Sequence, residues 1–377
     1  MNILIAPDSF KDSLGALAVA QALSSGIRKV LPDALIRVVP MADGGEGTVE
    51  SIIDATGGRM MQVPVMDPLM REITSFYGIS GDGSTAVIEM AAASGLELLD
   101  RGERNPWVTS TFGTGQLIRH ALDQGCGKIL LGIGGSATND GGMGMARALG
   151  VKFLDHSGAA VAQGGGVLGD IRKIIMEELD PRIGEVEMMV ACDVTNPLTG
   201  PNGASHIYGP QKGAGPEMVK KLDSHLSQFA RLIGEQLGKE INQVPGAGAA
   251  GGLGAGLMAF LGARLVKGVD MVAESVQLEK AIVEADLVIT GEGKMDRQTQ
   301  FGKTPFGVAQ LAEKHGKPVI GVAGTVEEGA EELYGCGFRV IMPILEKPSD
   351  LAFAIANASV LLERTGERIA RMISLGI

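Results

Sequence analysis

The segment Lys128-Ile-Leu-Leu-Gly-Ile-Gly-Gly-Ser-Ala-Thr-Asn-Asp-Gly-Gly-Met-Gly144 joins a short apolar run to a dense series of glycines and small polar residues. The apolar run predicts a buried strand. Glycines permit positive φ angles, so backbone N–H groups in such a loop can converge on one point, where a phosphate or another oxyanion would bind. We therefore interpret Gly132–Gly142 as a loop that binds phosphate or substrate. Its candidate binding residues are Gly134, Gly135, Ser136, Thr138 and Asn139.

Both ends of the chain repeat the order strand, loop and helix. Asn2-Ile-Leu-Ile-Ala6 is an apolar run typical of a buried parallel strand. A helix is predicted from about Ser13 to Val30, where apolar residues recur at helical spacing. The pattern returns near residue 270, with a predicted helix over 272–284 and a strand over 286–290. Successive units of this kind predict a parallel, doubly wound α/β sheet.

The middle of the chain has a different pattern. Apolar runs over 63–68, 73–79 and 85–89 are joined by glycine-rich turns and indicate a mixed sheet. A chain of 377 residues is also too long for one ordinary domain. We predict that residues 1–62 and 268–377 form one parallel-sheet domain from both chain ends, and that residues 63–267 form a second α/β domain inserted in the middle.

Composition argues against several classes of function. The formal net charge is −11, only 4% of the residues are aromatic and no basic run is present, so nucleic acid is not expected as a partner. No window reaches the roughly 18 uninterrupted apolar residues of a membrane span, and the N-terminal run is too short for a signal peptide. The three cysteines have no CxxC spacing and indicate reduced thiols. We expect a cytoplasmic protein and make no prediction about an oligomer.

Acidic side chains follow several of the predicted strands. In open α/β sheets, ligands bind outside the carboxyl ends of the strands. One such acid is most simply explained as a helix N-cap, but five on one chain indicate a binding site: Asp8, Asp43, Asp193, Glu292 and Asp296. Carboxylate oxygens can hold Mg²⁺, and lysines can neutralise a transferring phosphoryl group. With the neighbouring Lys11, Lys294 and Lys303, the set predicts Mg²⁺-supported phosphoryl transfer.

Two nucleotide-binding motifs match only in part. Gly302-Lys303-Thr304 matches the end of a P-loop, but Arg297 stands where the first glycine is required. Thr304-Pro305 instead predicts a helix N-cap followed by proline at the first helical position. Gly132-x-Gly134-x-x-Ala137 fits the dinucleotide fingerprint, although the glycines after it would be costly in the helix that this motif requires. An NAD(P)-dependent oxidoreductase acting on a small hydroxy acid is therefore the alternative function.

Six longer strings of residues have unusual sequences. They are Asn2-Ile-Leu-Ile-Ala-Pro-Asp-Ser-Phe-Lys-Asp-Ser13, Asp43-Gly-Gly-Glu-Gly47, Gly132-Ile-Gly-Gly-Ser-Ala-Thr-Asn-Asp-Gly-Gly142, Cys192-Asp-Val-Thr-Asn-Pro-Leu198, Gly246-Ala-Gly-Ala-Ala-Gly-Gly252 and Thr290-Gly-Glu-Gly-Lys-Met-Asp296. Together they resemble the bacterial type 1 glycerate kinases over essentially the whole chain. The resemblance implies a Rossmann-like domain with a second α/β domain inserted in it. It also implies ATP-dependent phosphorylation of D-glycerate at the 2-hydroxyl, giving 2-phosphoglycerate, in glyoxylate or hexarate degradation.

Such a kinase needs a base for the attacking hydroxyl and positive charge beside the phosphoryl group. We rank Asp193 first and Asp43 second as the base. We expect Lys11 and Lys294 to stabilise the phosphoryl charge. The other expected roles are Mg²⁺ binding by Glu292 and Asp296, and substrate or phosphate binding by Asp8, Ser9, Asn196 and Lys303 together with the glycine-rich loop. Whether that loop holds nucleotide phosphate or the carboxylate of D-glycerate stays open.

Overall fold

A computed structural model describes residues 1–375. The strands are β1 (Asn2–Ile5), β2 (Leu35–Val38), β3 (Arg59–Met66), β4 (Glu72–Ile79), β5 (Thr85–Glu89), β6 (Lys128–Gly132), β7 (Lys152–Leu154), β8 (Lys173–Ile175), β9 (Glu187–Ala191), β10 (Arg264–Val266), β11 (Leu287–Met295), β12 (Val319–Val326) and β13 (Phe338–Pro343). The helices are α1 (Ala16–Arg28), α2 (Thr48–Thr56), α3 (Ala91–Ser94), α4 (Phe112–Asp123), α5 (Met143–Ala148), α6 (Ala204–Tyr208), α7 (Pro216–Leu237), α8 (Ala249–Leu261), α9 (Gly268–Ser275), α10 (Leu278–Glu284), α11 (Thr304–Lys314) and α12 (Leu351–Ser374). Within the described residues, no helix is both long and apolar enough to cross a lipid bilayer.

The chain divides into two compact units. Unit 1 contains Met1–Asp43, Glu50–Gly57 and the described residues from Val269 onward, and unit 2 contains Gly44–Val49 and Gly58–Gly268. The α/β fold class predicted from the sequence is confirmed. The predicted domain boundaries, 1–62 with 268–377 and 63–267, stay a prediction. The compact units divide the chain differently from this prediction around α2. The segment Gly44–Val49, which includes the first residues of α2, belongs to unit 2.

Unit 1 contains a five-stranded sheet in the order β13-β12-β11-β1-β2, in which every neighbouring pair is parallel. Apolar side chains of β1, β11 and β12 share a buried core with those of α1 and α12. The two helices approach closely through glycines, since a Cβ atom on Gly26 would lie 1.8 Å from the carbonyl oxygen of Glu363. The two ends of the chain are therefore joined both through the sheet and through this helix pair.

The strand order of unit 1 reverses beside β1. After β1 the chain adds β2 on one side, whereas the later strands are added on the other side, beginning with β11. The carboxyl ends of β1 and β11 are therefore a topological switch point, where doubly wound sheets bind their ligands. Backbone pairing continues past the strand ends, because Asp8 N donates to Gly291 O and Met41 N donates to Pro7 O, each over 2.8–2.9 Å. These bonds fix the segments that lead to Asp8 and Asp43.

Unit 2 contains a six-stranded mixed sheet in the order β10-β9-β6-β5-β4-β3. The strands β5, β6, β9 and β10 are parallel, and β3 and β4 extend the sheet with antiparallel pairing. Buried apolar residues of β5, β6 and β9 share one core with residues of α4, α7 and α8. The glycine-rich loop follows the carboxyl end of β6, and Asp193 lies two residues beyond the carboxyl end of β9, so both follow parallel strands of this sheet.

One strand prediction near the site is wrong. The strand predicted to end at Thr290 continues to Met295 as β11. Its parallel partner β12 runs alongside it as far as Val326 and pairs Ala323 with Glu292. The glycines and charged residues of Gly291–Met295 gave no strand signal in the sequence. They nevertheless form a strand, because backbone pairing needs no apolar side chains. Glu292 and Lys294 therefore lie on a strand and not in a loop.

The helix predicted over 272–284 is also wrong, because the structure has two shorter helices there. Helix α9 ends at Ser275 and α10 begins at Leu278. Between them Gln277 adopts a left-handed φ of 53°, a conformation through which a right-handed helix cannot continue. No glycine or proline marks this break in the sequence.

Candidate functional site

Asp8 is fixed at the switch point of unit 1 by hydrogen bonds from Ser9 and Thr304. Its Oδ1 accepts from the backbone N–H of Ser9 over 2.6 Å, and its Oδ2 accepts from Thr304 Oγ1 over 2.5 Å. Thr304 is the first residue of α11 and is fully buried, whereas Asp8 and Ser9 are half-buried. The carboxylate therefore has a defined orientation and remains in contact with solvent.

The protonation of Asp8 is set by its surroundings. Burial raises the pKa of Asp8 to about 6, and the nearby negative charges of Asp43 and Glu292 act in the same direction. The hydrogen bonds from Thr304 and Ser9 oppose this rise, because they stabilise the ionised carboxylate. A carboxyl group that titrates close to the working pH can accept a proton effectively during catalysis.

Glu292 lies on β11 and is held by two donors. Its Oε1 accepts from Thr299 Oγ1 over 2.8 Å, and its Oε2 accepts from Lys303 Nζ over 3.0 Å. Burial raises the pKa of Glu292, and the charge and hydrogen bond of Lys303 oppose the rise. The structure thus brings together five predicted site residues: Asp8, Ser9, Asp43, Glu292 and Lys303.

Three further predicted residues of unit 1 are more exposed or paired with each other. Asp296 accepts from Lys294 Nζ over 2.9 Å, and this bond holds the pKa of Asp296 below its usual value. Lys294 also contacts Glu327 over 3.3 Å. Lys11 is exposed, and the described chain shows no ion pair for it. Lys11 is therefore the predicted lysine that is best able to meet an incoming anion.

Glu292 and Asp296 were predicted to hold Mg²⁺. Both oxygens of Glu292 already accept hydrogen bonds, and Asp296 accepts from Gln298 N as well as from Lys294. Across residues 1–375, no three acidic, histidine or cysteine side chains converge as a metal cage. The mutual repulsion of Asp8, Asp43 and Glu292 would nevertheless be relieved by a cation. These oxygen donors fit an ion that arrives with nucleotide phosphates, for which one or two protein carboxylates suffice.

The glycine-rich loop of unit 2 has an exposed tip and a buried base. Gly134 and Gly135 are exposed, and Gly135 has a φ of 70°, which favours glycine. From Ser136 onward the side chains are buried. At the start of the loop, a Cβ atom on Gly132 would lie 2.4 Å from the carbonyl oxygen of Gly44, so only glycine allows the two backbones to approach.

A buried lysine connects the base of this loop to a distant part of unit 2. Lys212 ends a short 3-10 helix and is 1% exposed. Its Nζ donates to Ser136 Oγ and to the carbonyl oxygen of Thr138, both over 2.7 Å. Burial lowers the pKa of Lys212 to about 7, and the charge of Asp140 opposes this change.

Asp140 organises the end of the loop. Its carboxylate accepts from Thr111 N, Thr111 Oγ1, Gly142 N and Gly144 N over 2.8–3.1 Å. The side chain is fully buried. Burial raises the pKa of Asp140, and these hydrogen bonds oppose the rise, because three of the four donors are backbone N–H groups, which can only donate.

The remaining predicted residues of unit 2 lie in separate places. Asn139 is fully buried, with Nδ2 donating to Ser205 Oγ over 3.1 Å. Asn196 uses its side-chain amide within its own loop, donating to Asn202 O and accepting from Tyr208 Oη. Asp193 is exposed and accepts from the backbone N–H of Gly268 over 3.1 Å. The side chain of Asp193 is thus held at the start of α9, and that of Asn196 between Asn202 and Tyr208.

Two important residues were not recognised from the sequence. Thr304 was predicted as a helix N-cap, but Lys303 is the N-cap residue and Thr304 begins the helix. The hydroxyl of Thr304 is used by Asp8 instead. Lys212 stands in Gly209-Pro-Gln-Lys-Gly213, where a lysine is normally exposed. A lysine between glycines close to a proline is the one weak signal that its environment is unusual.

Known proteins match the chain along its full length. A family model described as the glycerate kinase family matches residues 3–374. The chain belongs to the glycerate kinase family. It is therefore an enzyme and a phosphotransferase. A glycerate kinase from Halalkalibacterium halodurans is 50% identical over 369 residues, which cover 98% of this chain and 97% of that protein. A glycerate 2-kinase from Escherichia coli K12 is 49% identical over 377 residues, covering 100% of this chain and 99% of that protein.

A solved structure shows the same fold as this family member. The crystal structure of a protein assigned as glycerate kinase 2 from Salmonella typhimurium LT2 matches with a TM-score of 0.93 and 48% sequence identity, covering 100% of this chain and 99% of that chain. The alternative of an oxidoreductase is not supported. In the dinucleotide motif the glycines open a helix directly, whereas here α5 begins only at Met143, after Gly141 and Gly142 have both taken positive φ angles.

The Thr304 hydroxyl can be tested through the titration of Asp8. In a Thr304→Val variant we expect the pKa of Asp8 to rise above the wild-type value of about 6, because a hydrogen bond that favours the carboxylate is lost. The measurement is a carbon-detected NMR titration of the Asp8 carboxyl group. The matched control is Thr299→Val, which removes a buried hydroxyl from Glu292. An unchanged pKa of Asp8 in Thr304→Val would contradict the assignment.

Proposed function

We propose that this family member transfers the γ-phosphoryl group of ATP to the 2-hydroxyl of D-glycerate, with Mg²⁺, to give 2-phosphoglycerate and ADP. The observation that carries the proposal is the match of the glycerate kinase family to residues 3–374. Support for the position of phosphorylation comes from the relative named glycerate 2-kinase, at 49% identity over the whole chain. The expected cytoplasmic location and the role in glyoxylate or hexarate degradation stay predictions.

In this reaction the 2-hydroxyl oxygen of glycerate forms a bond to the γ-phosphorus while the bond from that phosphorus to ADP breaks. The hydroxyl proton must pass to a base. We assign this role to Asp8, because two donors orient it at the switch point and its pKa is close to neutral. Asp193 and Asp43, ranked first and second from the sequence, are exposed side chains and stay as alternative bases.

The lysines of unit 1 are proposed to balance phosphate charge. Lys303 is held against Glu292 and Lys294 against Asp296, so each ammonium group has a fixed position. Lys11 is the more mobile candidate because its side chain is exposed. Glu292 and Asp296 would provide carboxylate oxygens for Mg²⁺, which when bound neutralises charge on the transferring phosphate. In unit 2, Gly134, Gly135 and Ser136 are proposed to bind an oxyanion of a substrate.

The activity is tested by incubating the protein with ATP, Mg²⁺ and D-glycerate and following the products by phosphorus NMR. The expected product is 2-phosphoglycerate, formed together with ADP, and a parallel sample with excess chelator is expected to be inactive. Formation of 3-phosphoglycerate would contradict the assigned hydroxyl. Absence of any phosphorylated glycerate would contradict the activity, and turnover in the chelator would contradict the requirement for Mg²⁺.

The base is tested by comparing three variants, Asp8→Asn, Asp43→Asn and Asp193→Asn. We expect Asp8→Asn to lower kcat by about 10²- to 10⁴-fold, the usual contribution of a general base, with smaller losses in the other two. Asp155→Asn serves as a control, since Asp155 is a half-buried acid of a turn whose side chain accepts hydrogen bonds from Ser157 and Ala159. A large loss in Asp193→Asn with near-normal turnover in Asp8→Asn would transfer the role to Asp193.

A further inference from the structure

Lys212 lies in a place where the positive charge of an ammonium group is costly. Its side chain is 1% exposed, and an ammonium group removed from water loses hydration that two hydrogen bonds replace only in part. The charge of Asp140 favours the ammonium form, but four donors from Thr111, Gly142 and Gly144 already surround that carboxylate. An apolar side chain would fill this space at lower cost, so a lysine at this position indicates a function.

The contacts of Lys212 determine the direction of the Ser136 hydroxyl. An ammonium group can only donate hydrogen bonds, so Ser136 Oγ is the acceptor in its 2.7 Å contact with Lys212 Nζ. The proton of Ser136 must then point in another direction. No acceptor for it is present in the part of the chain that the structure describes. Ser136 is 6% exposed and directly follows the exposed Gly134 and Gly135, so its hydroxyl can donate at the tip of the loop.

A second unsatisfied hydroxyl lies beside this contact. The backbone carbonyl oxygen of Thr138 accepts from Lys212 Nζ over 2.7 Å, while Thr138 Oγ1 is buried with no hydrogen-bond partner among the described residues. Buried polar atoms are normally paired. Asn139 Oδ1, the next side chain, is also unpaired there. The base of the loop therefore contains polar groups that its own fold leaves unsatisfied.

We propose that Lys212 is a positioning residue that holds Ser136–Thr138 in place and directs the Ser136 hydroxyl towards an oxyanion bound at Gly134–Ser136. The inference rests on the proposed phosphoryl transfer for the identity of that oxyanion. It is either the carboxylate of the hydroxy acid or a phosphate of the nucleotide. Lys212 itself does not touch the reacting atoms. Its role is to hold the Ser136 hydroxyl in a donating orientation and to place a positive charge next to that hydroxyl.

The test compares Lys212→Met with the wild type. Methionine has a similar length and no charge, so it removes both hydrogen bonds and frees the Ser136 hydroxyl to rotate. We expect the KM and the calorimetric Kd of one substrate, D-glycerate or ATP, to rise about 10- to 100-fold, as for the loss of a hydrogen bond to a charged group. The control is Lys239→Met, since Lys239 also donates to a carbonyl oxygen, that of Ala259, over 2.7 Å, but is exposed.

The affected substrate identifies the oxyanion. A rise for D-glycerate assigns the carboxylate, and a rise for ATP assigns a phosphate. Values for both substrates within twofold of the wild type and of Lys239→Met would overturn the proposal, whatever happens to kcat. If Lys212→Met does not fold, Ser136→Ala provides the same comparison, because it keeps the lysine and removes only the donor. Calorimetry measures binding and needs no turnover. If the wild-type protein bound both ligands but were inactive, the proposed function would be contradicted, and the Kd values would still test the role of Lys212.

Discussion

The hydrogen bond from Thr304 to Asp8 is the interaction on which the candidate site of unit 1 depends. It joins residues 296 positions apart, over 2.5 Å. The bond exists because β1 and β11 are neighbours in the sheet and α11 follows β11, so the end of β1 and the start of that helix share one edge. It is also the largest of the hydrogen-bond effects on the protonation of Asp8, since it opposes the desolvation of that carboxyl group.

In unit 2 the candidate site is the glycine-rich loop, which depends on a different set of residues. Its loop must present backbone and hydroxyl donors at a surface, and glycines at the tip provide the conformations and the space. Glycines alone would leave the loop with many conformations. Lys212 and Asp140 restrict the conformation of the buried base of the loop. Lys212 donates hydrogen bonds to Ser136 and Thr138, and Asp140 accepts hydrogen bonds from Gly142 and Gly144. The conformation of the tip and the position of the base therefore depend on separate residues.

Much of the fold could be predicted from the sequence, because apolar runs such as Ile3-Leu-Ile5 mark buried strands. The extension of β11 through Glu292 and Lys294 could not, since its pairing comes from a partner strand and not from its own side chains. Asp8 was recognised as an acid at a strand end, whereas Glu292, predicted in the same way, lies within β11. The hydroxyl that orients Asp8 was not recognised, because the contact depends on the sheet order. Lys212 was missed for the same reason, as nothing near it in sequence shows that it is buried.

The central claim is that Asp8, held at the switch point, accepts the proton of the attacking hydroxyl. The dependence of kcat/KM for D-glycerate on pH tests it most directly, since this parameter reports the ionisation of the essential base. The account predicts that kcat/KM falls about tenfold per pH unit on the acid side, with a midpoint at about 6, where Asp8 becomes protonated. A value of kcat/KM that stays constant from pH 7 to well below this midpoint would contradict the claim.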